Sequence, residues 1–316
     1  MVRRLEYLEE FLLGVSEGGD LQHVEDRLVA KKKLFELEKS RAVGRGRPFM
    51  KKLEEAHRLS ELCQTMGRHL GLVEGGKVLS LSSSGREYLE SDTDVRSRLL
   101  ITRMLQTYTR FRRLVKGLAV LERNELEVPM GEDTMKFAEI LDSLGLGFFS
   151  RIYFETVVDL ATQLGLTNWH QLEEGPRSWV VYLTCEIITS GDESKSMKGF
   201  TVDLEDESWR IVLNSVSLDG FQEQLWKDYL ALTRYVARKP VPYSQLRSRV
   251  CYSLRIGDRL FDDHARRMMQ IDSKYLLVGA GGTLSFRRDS ASLIKSLPPK
   301  TDRGEYMVYL KMDRRN

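Results

Sequence analysis

One order of secondary-structure signals recurs three times along this chain and limits what it can fold into. In each copy, helical stretches lead to a helix that ends near a glycine, and two short strand-like stretches follow around a glycine-containing turn. This is the order of a helix-turn-helix followed by a β-hairpin. The sequence therefore predicts a mainly α protein with short β-hairpins, of the α+β class, built from about three tandem modules.

The recurrence divides the chain into domains, as its length of 316 residues also suggests. We expect a first module over residues 1–91 with a basic Gly/Arg loop, an acidic middle module over 129–206 and a basic last module over 207–316. Residues 92–128 lie between the first two modules and have the periodicity of one long basic helix. We expect this helix to link or brace the modules.

The first copy carries the most specific motif. A helix from Phe49 to about His69 leads into Gly71-Leu72-Val73-Glu74, and after a glycine turn the run Leu81-Ser82-Ser83-Ser84-Gly85 enters a further helix that reaches Leu89. This run resembles the wing of prokaryotic winged-helix DNA-binding regulators, with serine where threonine is commoner. The resemblance covers only this module and implies a winged-helix fold with DNA as the partner.

The middle copy has the same outline but the wrong charge for nucleic acid. Its second helix is predicted to begin after Ser150 and to reach Leu164, and two strands follow. That helix carries Glu155 and Asp159 but only one arginine, Arg151. We interpret this module as structural or as facing a protein partner.

The last copy is predicted to contain three helices, over Phe221–Arg238, Tyr243–Leu254 and Asp258–Gln270. The stretches Lys274–Val278 and Thr283–Arg287 are predicted to pair around four small residues as a wing. The third helix is amphipathic, so its arginines should share the side opposite its apolar residues.

The net charge of +3 hides a segregation along the chain. Residues 27–58 and 96–123 each carry a net charge of +7, and residues 230–316 carry +10. Residues 124–229 contain seven basic and twenty acidic residues, a net charge of −13. This asymmetry indicates a polyanionic partner for the basic parts and a protein partner or second subunit for the acidic middle. Chance variation in surface charge is the alternative for any one segment.

The Gly/Arg loop contains the run Gly44-Arg45-Gly46-Arg47-Pro48. Arg-Gly-Arg-Pro is the core of the AT-hook, an extended peptide that lays arginines into the narrow minor groove, where negative potential is concentrated. Lys51 and Lys52 follow it and are placed to meet phosphates. The alternative is a flexible basic turn before a helix whose start is set by Pro48.

Candidate DNA-contacting side chains come from this loop, the helix after it, the linker helix and the last module. We expect them to replace counterions along the DNA backbone, and some of them to enter a groove. The candidates are Arg45, Arg47, Lys51, Lys52, Arg58, Arg68, Arg103, Arg110, Arg255, Arg259, Arg266, Arg267, Arg287 and Arg288.

No pattern in the sequence predicts catalysis, a metal site or a cofactor. The chain lacks Gly-x-x-x-x-Gly-Lys-Ser/Thr, the nucleophile elbow and His-Glu-x-x-His. His57, Cys63 and His69 follow at intervals of six residues, which on a helix turns successive side chains about 240° apart. The three cysteines are scattered, which argues against a disulfide framework and indicates a reducing compartment.

Together these features favour a non-enzymatic protein that binds double-stranded DNA, as a transcription regulator or an architectural factor in the cytoplasm or on the nucleoid. No run approaches the roughly 18–20 apolar residues of a membrane span, so no membrane partner is expected. The alternative is a scaffold subunit that uses winged helices as assembly modules. RNA is the other polyanion left open.

Overall fold

The structure is a computed structural model of the chain. It describes residues 4–18, 20–31, 52–76, 78–122, 124–129, 134–145, 151–171, 178–189, 199–271, 276–281 and 306–312. Within these residues the protein is mixed: helices dominate, and the strands form small antiparallel sheets.

The helices and strands are numbered in chain order. The helices are α1 (Leu5–Ser16), α2 (21–31), α3 (Lys52–His69), α4 (Ser83–Glu90), α5 (Thr93–Thr107), α6 (Thr109–Val120), α7 (Thr134–Ser143), α8 (Arg151–Gln163), α9 (Leu218–Thr233), α10 (Tyr243–Leu254) and α11 (Asp258–Ile271). The strands are β1 (Val73–Glu74), β2 (Ser80–Leu81), β3 (Glu125–Pro129), β4 (Thr167–Gln171), β5 (Ser178–Leu183), β6 (Cys185–Thr189), β7 (Phe200–Asp203), β8 (Ser208–Leu213), β9 (Val241–Pro242), β10 (Leu276–Gly281) and β11 (Tyr306–Met312).

The chain divides into two compact units, each built from separate segments. Unit 1 comprises Met1–Leu114, Phe149–Leu164 and Ile188–Arg210, and unit 2 comprises Val115–Phe148, Gly165–Ile187 and Ile211–Asn316. In unit 1, α1 packs on α3 and α4, and its Leu8, Phe11 and Leu12 have no exposed surface. In unit 2, the core of the last module lies between α9, α10, α11, β9 and β11.

Two stretches of the chain share one topology. In the first, α6, β3, α7, α8, β4 and β5 follow in this order and the sheet order is β3-β5-β4. In the second, α9, β9, α10, α11, β10 and β11 follow and the sheet order is β9-β11-β10. In both, the last strand lies in the centre, between the strand before the helix pair and the strand after it.

Side-chain caps fix where several helices begin. The Ser82 hydroxyl accepts a hydrogen bond from the Gly85 N–H at the start of α4, and Ser217 does the same for Gly220 at the start of α9. The Asp92 carboxylate accepts from two backbone N–H groups of the first turn of α5. Each such cap is worth about 1 kcal/mol, because it satisfies donors that the helix itself leaves unpaired.

The helix predicted over residues 92–128 is not continuous, so that prediction is wrong. Tyr108 has φ −107° and ψ 89°, which ends α5, and α6 starts at the next residue and ends at Val120. Residues 125–129 then form β3, which pairs with β5 from Leu126 against Val181. Arg96, Arg103 and Arg110 follow at seven-residue intervals, and this spacing hides the break, because the helical period continues on both sides of one non-helical residue.

The position predicted for the turn of the last wing is wrong, because Gly279, Ala280 and Gly281 lie in β10. The predicted partner Thr283–Arg287 lies outside the described residues, and in the described part of the chain Val278 of β10 pairs with Leu310 of β11. Gly279 and Ala280 lie in β10, where the register shifts. Small residues fit a β-bulge as well as a turn, and the sequence alone does not distinguish the two.

Candidate nucleic-acid interface

The outer face of α11 presents basic and polar side chains. Phe261, Ala265 and Met268 are buried, as the helical period predicts, and they turn that side of α11 into the core. Asp263 lies on the other side, 3.3 Å from the guanidinium of Arg266. The exposed residues there are Arg259, Arg266, Arg267 and Gln270. Three arginines therefore outweigh one aspartate on this face.

A tight turn joins α10 to α11. Arg255 caps α10 in the left-handed region, with φ 54°. Ile256 is buried, and its N–H donates to the Cys251 carbonyl. Because three residues separate the two helices, α10 and α11 form a helix-turn-helix.

A buried ionic network holds this helix-turn-helix together. Arg247 of α10 is 2% exposed, and its guanidinium lies 3.0 Å from an Asp262 oxygen and 3.6 Å from an Asp258 oxygen, both on α11. The Tyr243 hydroxyl donates to Asp262 at 2.7 Å. Burial raises the pKa of Asp262 to about 6, against the opposing effect of Arg247. Two carboxylates thus share one guanidinium in a dry site.

Replacing Asp262 with asparagine is expected to remove a pH dependence of stability. Because the Asp262 pKa is raised from its ordinary 3.8 to about 6, the folded chain keeps a proton that the unfolded chain releases. This contribution to the free energy of unfolding is fully present below about pH 4 and is lost as pH rises through about 6, by at most about 3 kcal/mol.

Urea unfolding of the wild type and the D262N variant from pH 4 to pH 7 measures that dependence. Asp263→Asn, at the neighbouring exposed aspartate, is the matched control and should leave the wild-type pH profile in place. A wild type that gains stability relative to D262N as pH rises would contradict the direction of the pKa shift.

The middle sheet is fastened to the helix-turn-helix within unit 2. Asn168 of β4 is fully buried, and its amide donates to Asp258 at 2.9 Å and to the Ile256 carbonyl at 3.3 Å. The His170 ring bonds the Ser248 hydroxyl at 2.9 Å. The orientation of α11 is therefore fixed by side chains from another module of the sequence.

Arg255, predicted to contact DNA, makes its contacts inside unit 2. Its Nη2 donates to Glu125 of β3 at 2.6 Å. Its guanidinium carbon lies 4.5 Å from the Tyr252 ring centre and 5.0 Å from that of Tyr182. Because these contacts hold the guanidinium within unit 2, we do not include Arg255 in the candidate interface.

The heptad-spaced arginines of α5 and α6 also make contacts within the protein, in unit 1. Arg96 pairs with a carboxylate of α1. Arg103 donates to the Ser84 hydroxyl of α4 at 2.7 Å, and the Arg110 guanidinium lies 4.9 Å above the Tyr153 ring of α8. The line of arginines therefore fastens neighbouring helices, and Arg103 and Arg110 leave the candidate interface.

In the first module, α3 carries two of the candidate arginines. One is exposed, and the other binds the β-hairpin. Arg68 donates to the carbonyl oxygens of Gly75 and Gly76, at 2.9 and 3.0 Å, and so closes the turn between β1 and β2. Arg58 is exposed on the same helix. It is the α3 arginine that we retain as a candidate.

The remaining candidates cannot be placed. Lys52 is the first residue of α3, and its side chain is not described. The other candidates lie outside the described residues: Arg45, Arg47, Lys51, Arg287 and Arg288. The Gly/Arg loop and the second half of the predicted wing therefore stay predictions.

The helix α8, which follows α7 in the middle copy, is covered in unit 1. Asp159 is fully buried, Glu155 is 5% exposed, and Gln163 accepts a hydrogen bond from the Leu5 N–H at 2.9 Å. Its acidic side chains Glu155 and Asp159 therefore face the interior of unit 1 and not solvent.

Sequence reasoning missed the buried network around Arg247. Arg247 belongs to a basic segment of the sequence, but it lies four residues after Tyr243 and four before Cys251, on the inward side of α10. Asp258 and Asp262 have the same spacing on α11. Charged residues at inward positions of two adjacent helices, with opposite sign, are the signal that points to a buried pair.

The described residues have buried cysteines and no cluster of metal ligands. Cys63, Cys185 and Cys251 are all buried and reduced, and burial raises the pKa of Cys63 and of Cys185 to about 12. No group of His, Cys, Asp and Glu in the described segments has metal-binding geometry. Every helix described is too short or too polar to cross a membrane.

No family model, no curated protein and no solved structure matches the chain. Its function is therefore inferred from the side chains themselves. The exposed basic face of α11, on a helix held by buried ionic and hydrogen-bonded contacts, is the feature that most restricts the possible function.

Proposed function

We propose that this protein binds double-stranded DNA without catalysing a reaction, through a winged-helix module formed by α9, β9, α10, α11, β10 and β11. One observation carries the proposal: α11 exposes Arg259, Arg266, Arg267 and Gln270 on one side. Arginine suits this role because its planar guanidinium binds phosphate or a guanine edge in a bidentate manner.

The order of elements supports a winged helix. The last module has a helix, a short strand, a helix-turn-helix and two further strands, and its first strand pairs with its last. In a winged helix with this order, the second helix of the helix-turn-helix is the recognition helix. In this interpretation α11 enters the major groove. Residues 282–305 lie between β10 and β11 in the sequence, and Arg287 and Arg288 among them remain predicted phosphate contacts.

The rigidity of the support matters for this role. A recognition helix reads bases only if its angle to the DNA is defined, and Arg247, Asp262 and Asn168 define it by buried bonds. The first module, with Arg58 on α3 and its predicted Gly/Arg loop, would add a second contact. The protein would then act as a transcription regulator or an architectural DNA-binding protein, in the cytoplasm or on the nucleoid.

Binding of the full chain to a mixed-sequence duplex, followed by fluorescence anisotropy, tests the proposal. Contacts to about six phosphates predict a loss of affinity of at least about a thousandfold between about 50 and 200 mM salt. Double-stranded RNA of the same sequence is the comparison. Equal affinity for the two duplexes would show that the protein does not distinguish DNA from RNA. Absence of duplex binding at low salt would overturn the proposal.

A protein scaffold is the second candidate, favoured by the covering of α8 described above. In the middle copy, the helix at the position of a recognition helix packs inside unit 1. In a scaffold, the acidic middle region would bind a protein partner or a second subunit. A pull-down that yields one stoichiometric protein, with no shift of duplex DNA, distinguishes this function from the first.

A further inference from the structure

The segment between α9 and β9 is an exposed basic loop. We call residues 234–239 the basic loop; its sequence is Arg-Tyr-Val-Ala-Arg-Lys. Every residue in it is exposed, and Tyr235 and Val236 keep 81% and 54% of their surface in solvent. A tyrosine this exposed contributes nothing to a core, so its presence needs another explanation.

The backbone of the basic loop is strained. Arg234, Tyr235 and Arg238 have φ values of 54°, 64° and 59°. In the described part of the chain only two other non-glycine residues, Asn124 and Arg255, have positive φ. A left-handed conformation costs free energy for any residue with a Cβ, and a bulky side chain such as tyrosine rarely adopts it. Such strain is a reason to look for a function.

Hydrogen bonds at both ends hold the strained backbone in place. The Tyr235 N–H donates to the Leu230 carbonyl at 2.7 Å, and the Tyr229 hydroxyl donates to the Lys239 carbonyl at 2.8 Å. The Arg238 N–H donates to the Met312 carbonyl at 2.9 Å. The loop is therefore a fixed platform for its side chains.

The side chains on this platform are cationic and aromatic. Two arginines and one lysine lie within six residues, with no acidic residue among them. Arg234, Lys239 and the Tyr235 hydroxyl make no side-chain hydrogen bond or ion pair with any residue that the structure describes. Cations together with a tyrosine hydroxyl are the donors that contact DNA phosphates.

The basic loop lies at the end of the β9-β11-β10 sheet where β10 begins, after the chain leaves α11. Arg238 is bonded to Met312, and Met312 pairs with Leu276, the first residue of β10. Only residues 272–275 separate Leu276 from Ile271 at the end of α11, a reach of at most about 18 Å. This bound keeps the basic loop within reach of a duplex that lies along α11 and continues past its C-terminal end.

We propose that the basic loop is a second DNA contact, which binds the phosphodiester backbone beside the segment read by α11. This inference rests on the proposed function. Arg234 and Lys239 neutralise phosphates, and Tyr235 donates its hydroxyl to a phosphate or lies against a sugar. An acidic protein surface would suit the charges too, but the short chain distance from the end of α11 favours the backbone of the same duplex.

The test compares two double variants on a duplex of about 30 base pairs, roughly three helical turns. In R234Q/K239Q, the slope of log affinity against log salt is expected to become shallower by about 2, since each phosphate contact contributes about 0.9. K116Q/K227Q removes two exposed charges from other helices of unit 2 and should leave the slope unchanged.

Tyr235→Gly separates binding from folding. Glycine tolerates positive φ, so the melting temperature of this variant should stay the same or rise, while its affinity for the duplex falls severalfold. A purely structural tyrosine would give the opposite result, with a lower melting temperature and unchanged affinity, and would overturn the inference.

The outcomes separate this inference from the proposed function. If R266E/R267E abolishes binding while R234Q/K239Q keeps the wild-type slope, the loop inference fails and the α11 interface stands. If the wild type binds no duplex at low salt, both fail. If R234Q/K239Q changes only the capture of poly-glutamate, the loop belongs to an acidic protein partner and the inference fails.

Discussion

Reversing the charge of Arg266 and Arg267 together is expected to weaken duplex binding at least about a hundredfold at about 100 mM salt. Each arginine that meets DNA is worth about 1–3 kcal/mol, and a glutamate in its place adds repulsion from the phosphates. Both side chains are exposed, and Arg266 has only an exposed partner, Asp263, at 3.3 Å. Fluorescence anisotropy over a range of salt concentrations measures the loss.

Lys227→Glu is the control for this double variant, because it reverses one exposed charge on α9 of the same module. It should change affinity less than about threefold, the size expected from a distant charge in salt. The melting temperature of R266E/R267E should stay close to the wild-type value, since neither side chain supports the core. Wild-type affinity in R266E/R267E would remove α11 from the interface.

Replacing Arg247 with alanine is expected to lower the free energy of unfolding by about 3–5 kcal/mol, which would unfold much of a marginally stable protein. The guanidinium is 2% exposed and is shared by Asp258 and Asp262. Its removal leaves two carboxylates buried without their cation, and the cost of that desolvation is not recovered elsewhere.

Arg249→Ala is the matched control, two residues further along α10. Arg249 pairs with Asp228 at 3.2 Å, and a third of its side chain is in solvent. Asp228 is buried but also accepts hydrogen bonds from Gln224 and Ser253, so the loss of Arg249 should cost about 1–2 kcal/mol, less than the loss of Arg247. The cost of Arg247→Ala should also shrink toward pH 5, where the orphaned carboxylates take up protons. Equal costs for the two variants in urea unfolding would show that the buried network stabilises little.

The helix-turn-helix of the last module could be predicted closely. Tyr243–Leu254 was predicted as a helix and is α10, because Pro242 precedes it and Gly257 follows it at a short distance. The apolar period of Phe261, Ala265 and Met268 gave the inward side of α11. Both signals are local, since they depend on residues within one or two helical turns.

The roles of the arginines could not be predicted in the same way. Arg255 meets Glu125, which lies 130 residues earlier, and Arg103 meets Ser84 across two helices. An arginine that binds a phosphate and one that binds a glutamate have the same side chain and the same helical position. Only the neighbours brought by folding distinguish them, and those neighbours come from distant parts of the chain.

The partner of a strand also could not be predicted from local sequence. The strand nature of residues 276–278 followed from their apolar run, but their partner β11 begins 25 residues after β10 ends. Strand pairing depends on which edges meet after the helices pack, whereas helix formation depends on contacts three and four residues apart.

The amino-acid order by itself determined the α+β class, the place of the last helix-turn-helix and the basic side of α11, because these follow from short-range periodicity and from proline and glycine. Tertiary structure alone decided which cations remain at the surface. Packing places a carboxylate or an aromatic ring beside some arginines and leaves others in water, and no local pattern carries that information.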